Sequence, residues 1–173
     1  MDLHAAFLAL VRERETILNE ASTWTSEALC YRGAKDSWCA LELIDHLSRA
    51  EKLTTVRIHE TLRGNFPHRR EGRLRRALLF SILQSSLRVS VPKQLPELIP
   101  QIPSTLQIVA DDWRRAHSDL ILTSKQVDLQ DHRLAVFRHP VGGRMSLTSA
   151  ITFLTLHLRH HRHQWNRLRI AAT

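Results

Sequence analysis

The placement of helix breakers constrains this chain more than any other feature. It carries only five glycines and six prolines, and four of the prolines, Pro92, Pro96, Pro100 and Pro103, fall within residues 91–103. Proline fixes φ, lacks an amide hydrogen and pushes its predecessor out of the helical region, so this stretch cannot continue a helix. It reads as an extended crossover. The long segments on either side are rich in Leu, Ala, Arg and Glu, residues that favour helix. The predicted class is all-α, with helices on both sides of one long connection.

Hydrophobic periodicity places those helices. Leu3, Phe7, Leu10, Val11, Ile17 and Leu18 recur at helical spacing, with the charged run Arg12–Glu15 between them, and predict a helix from Leu3 to about Leu29. It should close near Arg32-Gly33, where a glycine can turn left-handed. A second helix, capped by Asp36 or Ser37, runs through Trp38 to about Leu62 with an inward stripe of Cys39, Leu43, His46 or Leu47, Ala50, Leu53 and Val56. Leu74 to Val89 forms a short apolar helix covering one end of the core. Ser104 caps a third main helix from Thr105 to about Lys125, with Leu106, Val109, Trp113, Ala116, Leu120 and Ile121 inward. Residues 127–145 lose periodicity, and Phe137 to Arg144 is loop chemistry. Ser146 then caps a fourth main helix reaching Ala172, whose stripe is Leu147, Ile151, Leu154, His157 or Leu158, His161, Trp165 and Leu168.

That last helix holds the main chemical signal. Four of the eleven histidines, His157, His160, His161 and His163, lie within seven residues. Positions four apart sit one turn above each other, so His157 and His161 can aim two imidazoles at one point, which is a metal-binding arrangement. Both fall on the apolar stripe, whereas His160 and His163 fall off it toward solvent or the bundle edge. Buried imidazoles need partners. A divalent ion with His46 as a third ligand would satisfy them, although a lone histidine on an apolar seam is more often a packing residue.

Charge and cysteine usage bear on the partner classes. The formal charge of +8 permits an anionic partner. The basic residues are mostly scattered, however, and the one dense run, His68 to Arg76, reads as a solvated turn and helix start. Nothing resembles a base-reading module, so nucleic acid is not the expected partner. Two thiols without a framework, Cys30 and Cys39, suit a reducing cytoplasm. The opening Met1-Asp2-Leu3-His4 lacks the basic start and apolar run of a signal peptide. No segment is apolar and long enough to span a membrane.

Four features in order carry a family resemblance. They are Trp38 followed by Glu42 and His46-Leu47, the crossover from Leu95-Pro96 to Pro100, the approach His139-Pro140-Val141-Gly142, and His157-x-x-His160-His161-x-x-Gln164. From Trp38 to Leu168 the chain resembles the DinB-like superfamily of bacterial proteins, and more closely its branch of metal-dependent hydrolases. The resemblance implies one four-helix bundle domain over residues 1–173, with a long crossover between the second and third main helices. It further implies a divalent metal, zinc or nickel, held by His46, His157 and His161, and a homodimer.

The functions implied are metal-dependent hydrolysis and transfer involving a low-molecular-weight thiol, both on a small-molecule substrate. The alternative is a non-catalytic bundle that keeps a structural or vestigial metal site and acts as a binding protein. The chain departs from its relatives at Leu158, where an acidic residue often follows the first ligand of the last helix. Asp45 and Glu42 lie close to His46 in sequence, but no carboxylate can be assigned as a general base. Arg159, His160 and His139 are candidates for orienting a substrate or an anion.

Overall fold

In the computed structural model, which describes residues 2–33, 37–64, 70–85, 95–101, 105–127 and 134–172 (171 and 172 by backbone alone), the chain opens with helix α1, Leu3–Ala21. The Asp2 carboxylate caps it by accepting the Ala5 amide at 2.7 Å. The helix expected to continue to Leu29 stops at Ser22. Ser22 Oγ and Thr23 Oγ1 donate back to the carbonyls of Asn19 and Glu20, each at 2.8 Å, and compete with the helical ladder. Thr25 then caps the five-residue helix α2, Ser26–Cys30, by accepting the Ala28 amide. Gly33 plays no left-handed closing role: among the described glycines only Gly143 has positive φ.

Helix α3 spans Ala40–Arg63, starting later than the predicted cap at Asp36 or Ser37; Asp36 lies outside the described residues. Glu42 sets the start, because its carboxylate reaches back to accept the Cys39 amide at 2.9 Å and pairs with Arg32 at 2.5 Å. Leu43, Ile44 and Leu47 are fully buried. Farther along, the buried face rotates from the predicted Leu53 and Val56 to Thr54, Thr55 and Ile58. Both threonines return their hydroxyls to carbonyls one turn back, which lets them lie inside without an orphaned polar atom.

Helix α5, Leu106–Ser124, is capped by Thr105, which accepts the Ile108 amide at 3.3 Å; the predicted cap, Ser104, lies outside the described residues. Ile121 of its predicted stripe is exposed, while Val109, Trp113, Ala116 and Leu120 are buried. Helices α3 and α5 pack side by side. Asp45 accepts the Gln101 amide, and six residues later Glu51 meets Trp113 and His117, so the two helices run parallel. Glu51 has no exposed surface, and its carboxylate accepts from Trp113 Nε1 at 2.8 Å and lies 2.6 Å from His117 Nδ1.

Helix α6, Leu147–Ala172, completes a four-helix bundle with α1, α3 and α5. It lies along α1, where Glu20 accepts from Arg162 and from Trp165 Nε1, and Trp24 stacks on Trp165 at 4.7 Å between ring centroids. Helix α4, Arg73–Gln84, buries Leu79 and Leu83, but Leu74 and Leu78 stand 87% and 58% exposed, so it is not the wholly buried cover its composition suggests. Residues 86–89, the predicted end of that helix, lie outside the described residues. Within the crossover, Pro96–Leu98 forms one 3-10 turn.

The stretch read as loop contains a small hairpin, β1 (Phe137–His139) against β2 (Gly143–Met145), pairing Phe137 with Met145, Arg138 with Arg144 and His139 with Gly143. Strands of three residues are too short to show a period of two. The hairpin and α4 are stitched to the start of α6 through Glu71, which ion-pairs with Arg76 and accepts from Ser149 Oγ at 2.7 Å and the Ser146 amide at 3.2 Å. Burial alone would raise this carboxyl, but the bonds from Arg76, Ser149 and Ser146 outweigh it and hold it at about 2. Among the described residues no helix is long and apolar enough to cross a membrane.

Two stability predictions follow from these carboxylates. Replacing His117 with Phe removes the partner of the fully buried Glu51 Oε1 and leaves that oxygen unsatisfied, which should cost about 1–3 kcal/mol. Urea denaturation checks this, and an unchanged midpoint would show that His117 does not hold Glu51. Glu71 has a depressed carboxyl, so its contribution is present above its ordinary value of 4.5 and is lost as pH falls toward about 2. The Glu71→Gln protein should be about 1–3 kcal/mol less stable than wild type near neutrality. That gap should close on acidification through this window, as followed by circular dichroism.

Candidate metal centre

His46 lies two turns into α3 and is buried, while His157 and His161 sit one turn apart on α6 and are half-buried. The structure brings these three together. Their Nε2 atoms converge: His157 Nε2 is 3.4 Å from His46 Nε2 and 3.2 Å from His161 Nε2. All three ligand atoms lie within 4.8 Å of one another. The arrangement depends on where α3 and α6 cross, because the spacing along α6 supplies only the pair.

The far nitrogens of His46 and His161 fix the orientations of those two rings. His46 Nδ1 donates to the Leu98 carbonyl at 2.8 Å, so the 3-10 turn of the crossover holds the His46 ring. His161 Nδ1 donates to Gln164 Oε1 at 3.1 Å, one turn farther along α6. These bonds place the protons on Nδ1 and leave Nε2 of both rings as lone pairs directed inward. His157 Nδ1 is buried and has no partner among the described residues. Apolar walls close the sides: Trp38 lies 4.7 Å from the His46 ring, and Phe153 stacks on His157 at 5.7 Å.

Burial lowers the pKa of all three imidazoles. His46 is lowered by desolvation. His157 is pushed far down by desolvation and by its neighbouring imidazoles. His161 falls to about 3, by desolvation first and then by His46. All three rings are therefore neutral at ordinary pH, the form that ligates metals.

Hydrogen bonding among the rings alone cannot satisfy this set. With His46 and His161 protonated on Nδ1, at most one proton, on His157 Nε2, faces the centre, and it can be given to only one neighbour. A cation shared by the lone pairs removes that conflict. The spacing also suits one, since tetrahedral coordination at about 2.0–2.1 Å per nitrogen separates the ligand atoms by about 3.3–3.4 Å. The three-histidine group can therefore hold a divalent ion, and its all-nitrogen donors accept zinc, nickel, iron or copper.

The remaining candidates are placed elsewhere. Asp45 pairs with Arg49 and accepts the Gln101 amide, and Glu42 is engaged at the start of α3. Among the described residues no carboxylate hydrogen-bonds to the three histidines. Arg159 pairs with Glu13 at the bundle edge. His160 Nδ1 meets the Leu83 carbonyl at 3.2 Å, tying α6 to α4, and His163 is exposed. His139 touches Phe153 with ring centroids 4.6 Å apart, and its Nδ1 accepts the Val141 and Gly142 amides; burial takes it down to about 4. It packs beside Phe153, which stacks on His157, and does not join the centre.

Sequence reasoning missed two parts of this arrangement. The Leu98 carbonyl left no residue-type signal, because any residue there would offer the same atom. Gln164 stood in the quoted motif, and its position three residues after His161 was the available sign of a ring-orienting role. Comparison with curated proteins and with solved structures returned no match. A family model described as the DinB superfamily matches residues 9–165, a span that includes all three histidines, the crossover and the hairpin. The chain belongs to the DinB superfamily.

Proposed function

We propose that this protein binds one divalent metal ion through Nε2 of His46, His157 and His161 and uses it to act on a small-molecule electrophile, by hydrolysis or by transfer to a low-molecular-weight thiol. The observation carrying this reading is the convergence of three neutral imidazole nitrogens, two of them held by anchored far nitrogens. The chemistry such an ion supplies when bound is Lewis acidity, which acidifies a coordinated water or thiol and polarises an electrophile. Three protein ligands leave room in the coordination sphere for those groups.

The chain's own residues account for the rest. Leu98 and Gln164 orient two of the rings and make their inward nitrogens more basic. Trp38 and Phe153 exclude water beside the rings and so strengthen local electrostatics. Because all three ligands are neutral and no carboxylate among the described residues hydrogen-bonds to them, the described residues would leave the charge of a divalent ion uncompensated. That favours an anionic fourth partner, and a thiolate or a hydroxide meets the requirement.

Calorimetric titration of zinc and of nickel into untagged, metal-stripped protein tests the first half. One ion should bind per chain. His46→Ala and His161→Ala should weaken binding by more than a hundredfold, and Gln164→Leu by about 10–100-fold. Unchanged affinity in both histidine variants would sink the metal assignment. Turnover of model electrophiles by the metal-loaded protein, with and without small thiols, tests the second half: thiol-dependent turnover identifies a transferase and thiol-independent turnover a hydrolase. Metal binding without either would leave a structural clip between α3 and α6.

A further inference from the structure

Between the start of α4 and the outer face of the hairpin lies an open pocket of about 460 Å³, lined by Gly72, Arg73, Leu74, Arg75, Arg138, Gly143 and Arg144. Successive strand residues point to opposite sides. Phe137 and Met145 turn into the core, so Arg138 and Arg144 turn outward, to the side away from the histidines.

Four arginines therefore line one concavity, and among the described residues none is engaged in an ion pair or side-chain hydrogen bond. Arg76, immediately beyond, shows the contrast, because Glu71 and Ser149 satisfy it. The register sets Arg138 directly opposite Arg144. Like charges facing each other across a strand pair destabilise it, so the pair works against the hairpin's own stability. The pocket walls are nonetheless fixed. The Gly72 amide donates to the Arg144 carbonyl at 2.9 Å, and Arg75 packs over Gly143, whose φ of +73° lets the turn form.

We propose that this pocket binds a phosphate monoester carried on an otherwise apolar molecule. Guanidinium forks pair bidentately with phosphate oxygens, and a dianion with three terminal oxygens can engage several forks, whereas one carboxylate is satisfied by one or two. The α4 amino terminus has no side-chain cap at Gly72 and adds its partial positive charge. The volume fits a small ligand rather than a polymer. No aromatic side chain lines the pocket to stack a base, which argues against nucleic acid. Leu74 lines the rim and Leu78 follows one turn later, both exposed, and they offer an apolar shelf for the rest of the ligand. The same chemistry is presented by a soluble alkyl phosphate and by a phosphatidic acid headgroup.

Calorimetry with inorganic phosphate and with hexyl phosphate at low ionic strength, alongside flotation with phosphatidylcholine vesicles with and without phosphatidic acid, tests this. The Arg138→Gln/Arg144→Gln protein is compared with an Arg114→Gln/Arg115→Gln control, which loses the same charge from α5. Saturable binding of one alkyl phosphate per chain is expected, tighter than inorganic phosphate. The pocket variant should weaken it at least tenfold and the control less than twofold. In anion-free buffer the pocket variant should melt no lower than wild type, since it relieves the Arg138–Arg144 repulsion, which separates lost binding from lost folding. Binding confined to phosphatidic acid vesicles, and lost in the pocket variant, would support the site and name the lipid as its source. Absence of binding in both arms, or equal loss in variant and control, would overturn the proposal.

Discussion

Two parallel helices cannot be joined by a tight turn, and much of this molecule answers that constraint. Helix α3 has 24 residues. At 1.5 Å of rise per residue the chain travels about 36 Å and must come back the same distance before α5 can run beside it. Bundles with parallel neighbours use long connections for this purpose. Here the connection also carries structure. It contains α4, which presents two of the pocket arginines, and the 3-10 turn whose Leu98 carbonyl orients His46. The return path that the topology demands thus supports both sites.

Three carboxylates, one buried and two half-buried, hold the helices in register around that path. Glu51 joins α3 to α5, Glu20 joins α1 to α6, and Glu71 joins the crossover to the start of α6. In each case an acid on one element receives donors from another, and the directionality of those bonds limits sliding in a way apolar contacts do not. The histidine centre differs in kind. Its groups are neutral, and no described carboxylate hydrogen-bonds to them. The arginine pocket is the converse, with four cations and no acid among the described residues. The histidine cluster leaves inward lone pairs that hydrogen bonds among the rings do not satisfy, and the arginine cluster leaves positive charge without a counter-ion among the described residues.

The helical class, the crossover and the four main helices were legible because breaker placement and a 3.6-residue period are local properties. The early end of α1 was not read, since it rests on Ser22 and Thr23 turning their hydroxyls back, and those residues are also compatible with a helix interior. The hairpin was too short to show its period. The buried face of α3 was misread beyond Ala50 because hydrophobicity favoured Val56, while threonines that satisfy their own hydroxyls are buried there.

By itself the sequence determined that His157 and His161 share a helix face, since four residues make about one turn wherever the helix lies. His46 as the third partner came from the family resemblance rather than from spacing. Only the tertiary structure decided that His46 meets them, that Leu98 and Gln164 set which nitrogen points inward, and that Arg73 and Arg75 face Arg138 and Arg144. The reason is physical: spacing along a helix follows from backbone hydrogen bonding alone, whereas the meeting of residues a hundred positions apart depends on how every intervening element packs.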